Sequence, residues 1–441
     1  MKKLFFSITI FSNTLFSQSL DTLDYERFSL HGQTTIVNQS KLSFSAPYSG
    51  GNSLSTESEN RTSITSTLYL GARLWKGASF FLNPEIAGGS GLSSVLGLAS
   101  ATNGETFRIG SAEPKIYIAR LFYRQVFEVK LKNNPERYII NSSDLNQIHE
   151  KSPTAYFAYT IGTVSIADYF DDNKYSHDPR TQFMSWGLMS NGAYDYAANT
   201  RGYTPSVVLE YVTPAHEFRY GLSLLPKIAN GNDMEWDISK SSAHVLEYTH
   251  RYKIKKREGA LRILSFLNTT RMGNYRESIA ISPIQPDINS VRQFGNIKFG
   301  FAINAEQEFS NDIGGFLRAS WNDGNNETWA FTEIDHSFST GISIKGAKWK
   351  RPKDVLGIAY VASGISNPHR EYLAAGGKGF MLGDGSLNYA LEHLTEINYS
   401  TEIIPSHFYV SGVYQMIVNP GYNIDRMGPV NVFSLRVHTR F

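Results

Sequence analysis

The stretch Asn431-Val432-Phe433-Ser434-Leu435-Arg436-Val437-His438-Thr439-Arg440-Phe441 decides the fold. Phe433, Leu435, Val437 and Phe441 fall on one side of an extended chain, and Ser434, Arg436, His438 and Arg440 on the other. Successive side chains of a strand point to opposite faces, so the segment reads as a strand with one apolar and one charged face. A soluble protein has little reason to end on an exposed Phe, since large apolar side chains are mostly buried.

The same alternation recurs upstream. Between Tyr117 and Phe127, one face carries Tyr117, Ala119, Leu121, Tyr123 and Phe127, and the other Arg120, Phe122 and Arg124. Leu246, Tyr248, Tyr252 and Ile254 oppose Glu247, Thr249, Arg251, Lys253 and Lys255, with a tight turn expected at Glu258-Gly259. Thr395, Ile397, Tyr399, Thr401 and Ile403 oppose Glu396, Asn398, Ser400 and Glu402. Period two with the charges on one face is a strand signal, although a soluble sandwich gives it too. The final strand separates the two cases. An amphipathic closing strand ending on Phe441 resembles the signature by which bacterial outer-membrane barrels are recognised by their assembly machinery.

The other end of the chain agrees. Lys2 and Lys3 precede the apolar run Leu4 to Phe11, and small polar residues follow around Ser17-Gln18-Ser19. That order is a secretory signal peptide, assigned to residues 1–19 with cleavage between Ser17 and Leu20. Residues 20–441 then form a single barrel domain. No later apolar run reaches the length of a membrane-spanning helix. The mean hydropathy of −0.29 looks soluble, but a barrel conceals its apolar face by alternation. An exported chain with no cysteine must be held by backbone pairing and packing. Forty-two basic against forty acidic residues argues against a nucleic-acid partner, which calls for a strong basic excess. Twenty-seven Phe, 25 Tyr, 6 Trp and 36 Gly suit aromatic girdles and many turns.

The fold expected is all-β: a transmembrane antiparallel barrel of about 16 strands, with 18 also compatible with the length. Sixteen strands leave roughly 16 residues per connection, shared between short turns and long extracellular loops. Two glycine-rich stretches, Asn83 to Ser111 and Ser363 to Asn388, read as such loops, and one loop is expected to fold into the lumen.

The segment Asp168-Tyr-Phe-Asp-Asp-Asn-Lys-Tyr-Ser-His-Asp-Pro-Arg-Thr-Gln-Phe183, followed by Trp186, resembles the most distinctive block of the carbohydrate-selective porin (OprB) family. Other blocks follow in the family's order. They include Leu30-His31-Gly32-Gln33, Leu70-Gly71-Ala72-Arg73-Leu74-Trp75, Gly192-Ala193-Tyr194-Asp195-Tyr196, Pro368-His369-Arg370-Glu371-Tyr372 and Val418-Asn419-Pro420-Gly421-Tyr422. The resemblance runs from about His31 to Phe441. It implies a monomeric barrel of about sixteen strands in the outer membrane, passing glucose-like sugars passively, with no enzymatic activity and no cofactor. Two departures from the family pattern are Thr163, where a lysine is expected, and the proline in Thr204-Pro205.

The residues support a sugar channel on their own chemistry. A sugar offers hydroxyls around its ring and apolar C–H faces, which charged or amide groups and aromatic rings respectively can meet. The candidate constriction comprises Arg120, Phe122 and Arg124, with Asp171, Asp172, His177, Arg180 and Trp186 from the distinctive block. Simpler roles compete. The arginines could form a ladder with wall acids, Asp171, Asp172 and Arg180 could pin a loop, and Trp75 and Trp186 could sit in the interfacial girdle. A general or anion-preferring porin is the alternative function, with the arginines acting by charge. The sequence contains no His-Glu-x-x-His, no Gly-x-Ser-x-Gly and no Cys/His metal pattern. The partners expected are sugars, outer-membrane lipid and, through Phe441, the barrel-assembly machinery. Amino-terminal sequencing of the protein from the outer-membrane fraction should find about seventeen to nineteen residues removed; an intact Met1 on a cytoplasmic species would overturn the export assignment.

Overall fold

The computed structural model describes residues 25–106, 112–132 and 134–441. The signal-peptide assignment, 1–19, lies outside the described residues. Among the described residues there are eighteen strands. The first nine are β1 (Phe28–Lys41), β2 (Glu59–Trp75), β3 (Ala78–Gly89), β4 (Lys115–Glu128), β5 (Tyr138–Asn141), β6 (Glu150–Pro153), β7 (Tyr156–Val164), β8 (Thr204–Val212) and β9 (His216–Ser223). The rest are β10 (Ser242–Ile254), β11 (Arg257–Thr270), β12 (Asn296–Glu308), β13 (Ile313–Asn322), β14 (His336–Gly346), β15 (Arg351–Gly364), β16 (Glu392–Ile404), β17 (Phe408–Val418) and β18 (Val430–Arg440). Sixteen of them close into an antiparallel barrel in which each pairs with its sequence neighbours, β4 pairs with β7, and β18 returns to β1. β5 and β6 form a separate hairpin inserted between β4 and β7.

Closure leaves the barrel no open edge, so each of its sixteen strands satisfies its backbone groups on both sides. At the seam Gln33 to Lys41 pair with Arg440 to Val432. The last residue extends this pairing: Gly32 N–H donates to Phe441 O at 3.1 Å, and Phe441 N–H donates to Gly32 O at 3.0 Å. The Phe441 ring lies over Gly32, where a Cβ would sit 2.4 Å from ring carbons.

Alternation decides which side of the wall is wet. On β12, Ile297, Phe299, Phe301 and Ile303 are exposed outward, while Lys298 and Asn304 are fully buried inside. The faces read from β10, β16 and β18 hold: Leu246, Ile397, Tyr399, Phe433 and Leu435 point outward, and Glu247, Glu396, Asn398, Arg436 and His438 inward. β4 departs from its expected face. Asn83 pairs with Arg120 and Pro84 with Ile118, so Ala119 is an extra residue opposite no partner. That bulge shifts the alternation by one. Tyr117, expected outward with Leu121, therefore turns inward, where its hydroxyl bonds Glu85.

Connections differ sharply at the two ends. Long loops join strands at one end, the extracellular end by the rule for such barrels, and short turns join them at the other. The turn expected at Glu258-Gly259 lies instead at Lys255-Lys256, both with positive φ (49° and 69°), as a two-residue hairpin turn requires. The loop expected from Asn83 begins after Gly89, because Asn83 to Gly89 complete β3, and the loop expected from Ser363 begins after Gly364. Deleting Phe441 removes both seam hydrogen bonds to Gly32, so the fraction of heat-modifiable, folded barrel on gels should fall; an unchanged fraction would show that the seam closes without it.

Candidate functional site: a loop-lined chamber in the lumen

The longest extracellular connection, residues 165–203, folds back into the barrel and carries the distinctive block. Its rings need room at the wall. A Cβ at Gly221 of β9 would sit 2.9 Å from the Phe170 ring, and one at Gly357 of β15 would sit 2.9 Å from the Phe183 ring. Both rings are buried. Removing the wall side chain is what lets them approach.

A loop drawn inward also brings backbone amides that must find partners. The wall supplies them. Glu396 accepts from Met184 N–H at 2.7 Å and Ser185 N–H at 2.9 Å. Glu247 accepts from Asp171 N–H at 2.7 Å. Arginines serve the carbonyls: Arg436 donates to Pro179 O and Gln182 O, both at 2.7 Å, and Arg318 to Leu188 O at 2.9 Å and Ser176 O at 2.6 Å. Other extracellular loops are held in a similar way: Glu392 of β16 accepts from Ala99, Ser100 and Gly421, while Asp195 of the inner loop itself accepts from Trp329 and Ala330.

Beneath this loop, towards the short-turn end, lies a chamber of about 570 Å³. Of the eight residues singled out from the sequence, Arg120, Phe122, Arg124, Asp172, His177 and Arg180 border it. Arg120 grips Asp168 with Nε and Nη2, both at 2.6 Å, and lies over the Tyr203 ring. Arg124 pairs with Glu210 and donates to Thr160 Oγ1 at 3.2 Å. Arg180 reaches Glu105 at 2.7 Å and Glu85 at 3.1 Å. Phe122 stacks on Phe81, with ring centroids 5.0 Å apart. Burial opposes the Arg180 charge, but Glu105 and Glu85 keep the guanidinium protonated well beyond its ordinary range. Burial would likewise raise the Asp172 carboxyl, yet His177 and Arg262 outweigh it and hold Asp172 below the usual carboxylate range. Burial pushes the Tyr169 hydroxyl up to about 12. The chamber therefore presents fixed charges of both signs beside aromatic surface.

Two of the eight do not border it. Asp171 is buried and accepts from Asn191, Asn304 and Arg318, so it holds the loop in place. The Trp186 ring is packed against Phe331 at 4.8 Å and Tyr196 at 6.0 Å within the apolar core of the loops, neither in the girdle nor facing the chamber. Trp75, by contrast, is exposed at the foot of β2. Reading the sequence missed Tyr69, Glu105, Asp168, Tyr169, Glu210 and Arg219, which also border the chamber. Alternation along β8 and β9 could have shown Glu210 and Arg219 inward, since buried Val208, Glu210 and Val212 alternate with exposed Leu209 and Tyr211. Glu105 lies on another loop and carries no local signal.

Comparison with known proteins agrees with this architecture. The barrel superposes on the high-pH structure of OprB from Pseudomonas putida with a TM-score of 0.70, at 15% identity over 94% of each chain. The low-pH structure of the same protein gives 0.51 at 12% identity, over 94% of this chain and 93% of that one. The outer-membrane channel DcaP of Acinetobacter baumannii gives 0.51 at 11% identity, over 94% and 97%. No curated protein sequence matches the chain. At these identities the structures establish the fold alone. The profile of the family described as carbohydrate-selective porin, OprB family, matches residues 51–441. With that match across nearly the whole barrel, the chain belongs to the OprB family of carbohydrate-selective porins, sugar channels of the outer membrane.

Proposed function

We propose that sugars cross the barrel through the chamber beneath the inner loop, and that Arg120, Phe122, Arg124, Asp172, His177 and Arg180 shape its selectivity. The observation that carries this reading is the juxtaposition of four guanidiniums, those of Arg120, Arg124, Arg180 and Arg219, with their carboxylate partners and the Phe122 ring around one cavity. Paired charges can exchange hydrogen bonds with sugar hydroxyls without attracting ions strongly, and binding stays weak enough for release. Solute moves down its gradient, with no catalytic step and no cofactor. Asp171 and Trp186 act indirectly, by keeping the loop inward.

A general or anion-preferring channel remains the second reading, and one observation favours it. A second cavity of about 390 Å³ lies beside the first, bordered by Lys174, Lys345, Lys353, Arg180 and Arg440, and no carboxylate among the described residues lines it. The exposed apolar faces meet outer-membrane lipid, and the Phe441 ring is read by the assembly machinery. A closed barrel needs no partner to cover an edge, which supports a monomer.

A glucose series on single channels in planar bilayers tests the leading reading. Glucose should reduce the current in a saturable way, and Arg120→Gln or Arg124→Gln should weaken that block and lower anion preference. Folded variants with unchanged block and selectivity would place the constriction elsewhere. Trp186→Ala should behave differently. Truncating a buried tryptophan costs about 3–5 kcal/mol, so the loop should loosen, and the current should become larger and noisier in the absence of sugar. A quiet channel of ordinary conductance would count against the anchoring role.

A further inference from the structure

Six of the seven connections at the short-turn end contain two to four residues. The seventh, residues 129–155 between β4 and β7, contains the hairpin β5–β6. A simple turn would join these adjacent antiparallel strands, so the added length has another use.

The hairpin does not hang free below the barrel. Its tip is fastened to the start of the described chain and to the last strand, across the feet of β2 and β3. Ser143 Oγ donates to Glu26 Oε2 at 2.7 Å and lies 2.9 Å from His31 Nε2. Glu26 N–H donates to His149 O at 3.2 Å, and His149 N–H to Glu26 Oε2 at 3.1 Å. Asp144 lies 3.9 Å from Arg440 Nη1.

Between these tethers the chain turns into the lumen. Ile148 is only 4% exposed and joins the apolar cluster that contains Phe81 and Phe122. Leu145 and Asn146 border the same chamber as Arg120, Arg124 and Arg180. Asn146 takes a positive φ of 53°, which asparagine tolerates better than most residues, and its Oδ1 has no hydrogen-bond partner. Asn146 also borders a further cavity of about 290 Å³ enclosed between the hairpin and the wall.

We propose that Leu145 and Asn146 form a second selectivity element at the periplasmic exit, past which a carbohydrate leaving the arginine chamber must move. The Asn146 side chain borders the chamber and meets a sugar hydroxyl by turning its buried, unbonded Oδ1 outward, and Leu145 offers apolar surface to a C–H face. The inference rests on the channel reading above. It adds a determinant carried by the periplasmic side rather than by the barrel wall or the extracellular loops.

The absence of cysteine allows a clean test. Asn146→Cys introduces the sole thiol, and a charged methanethiosulfonate reagent is added on the periplasmic side of a single reconstituted channel. Modification should remove roughly half the conductance, as expected for a bulky charge in a narrow exit, and should weaken glucose block. Ser142→Cys, on an exposed residue of the same hairpin, is the control and should be modified without loss of current. If Asn146→Cys folds poorly, Leu145→Cys takes its place. A thiol that is modified without change in current, or that the reagent cannot reach, overturns the proposal. An unmodified channel that conducts ions but is never blocked by glucose counts against the sugar reading instead, while the thiol result still decides whether the exit passes the tip.

Discussion

Everything inside this barrel depends on the obligation to satisfy backbone groups that have left bulk water. The strands meet it by closure, since each pairs on both sides. The inner loop lacks a regular ladder, so its amides and carbonyls must be matched one by one. Glu247 and Glu396 accept its N–H groups, and Arg318 and Arg436 donate to its carbonyls. An unmatched buried polar group costs about 1–3 kcal/mol, so the wall residues set where the loop can rest. Buried charges of this kind serve position more than stability. A buried ion pair such as Arg318 and Asp171 gives little net stabilisation over apolar packing, yet removing one partner is costly.

The same rule explains what the sequence made legible. Alternation on β10, β16 and β18 is a local property, enforced because a one-residue slip would turn every apolar side chain into the lumen. It could be read from neighbouring residues alone. Tyr117 was placed on the wrong face because the bulge at Ala119 arises from pairing with Asn83 and Pro84, thirty or more positions away. Arg120, Phe122 and Arg124 follow the bulge, so their shared face survived. The lining was only half legible for a related reason. Asp168 and Glu105 are partners chosen by tertiary folding, and nothing within their own segments marks them. Trp186 and Asp171 belong to the distinctive block, yet they serve to hold the loop that others line. The hairpin β5–β6 is too short to give a clear periodic signal, and only tertiary folding brings Leu145 and Asn146 to the chamber.

Charge is distributed unevenly across the lumen. Around the arginine chamber each guanidinium has a carboxylate partner, so the local field is largely cancelled while many hydrogen-bonding atoms remain. That suits a neutral polyhydroxylated solute, which must lose hydration but carries no charge for a field to steer. The neighbouring cavity is bordered by Lys345, Lys353 and Arg440, and the carboxylates near its cations stand back from the lining: Asp144 lies 3.9 Å from Arg440 and Glu308 3.7 Å from Lys174. One lumen therefore contains two electrostatic environments, separated by the segment around Arg180, which borders both.

The strand number of the barrel cannot tune such a path. Strand number fixes the diameter, and sixteen strands enclose a lumen wide enough for an aqueous channel. Because strands are added in whole units, the wall offers no gradual way to narrow the opening. Irregular chain folded inside occupies part of that lumen: the loop at 165–203 from the extracellular end, and Leu145 and Asn146 of the hairpin tip from the other. These elements are irregular, so they can change by single residues without disturbing the ladder. The division of labour follows from the bilayer. The wall is constrained to a repeating pattern by lipid outside and water inside, so it contributes fixed inward side chains such as Arg120 and Arg124, while the chain folded against them is free of that pattern.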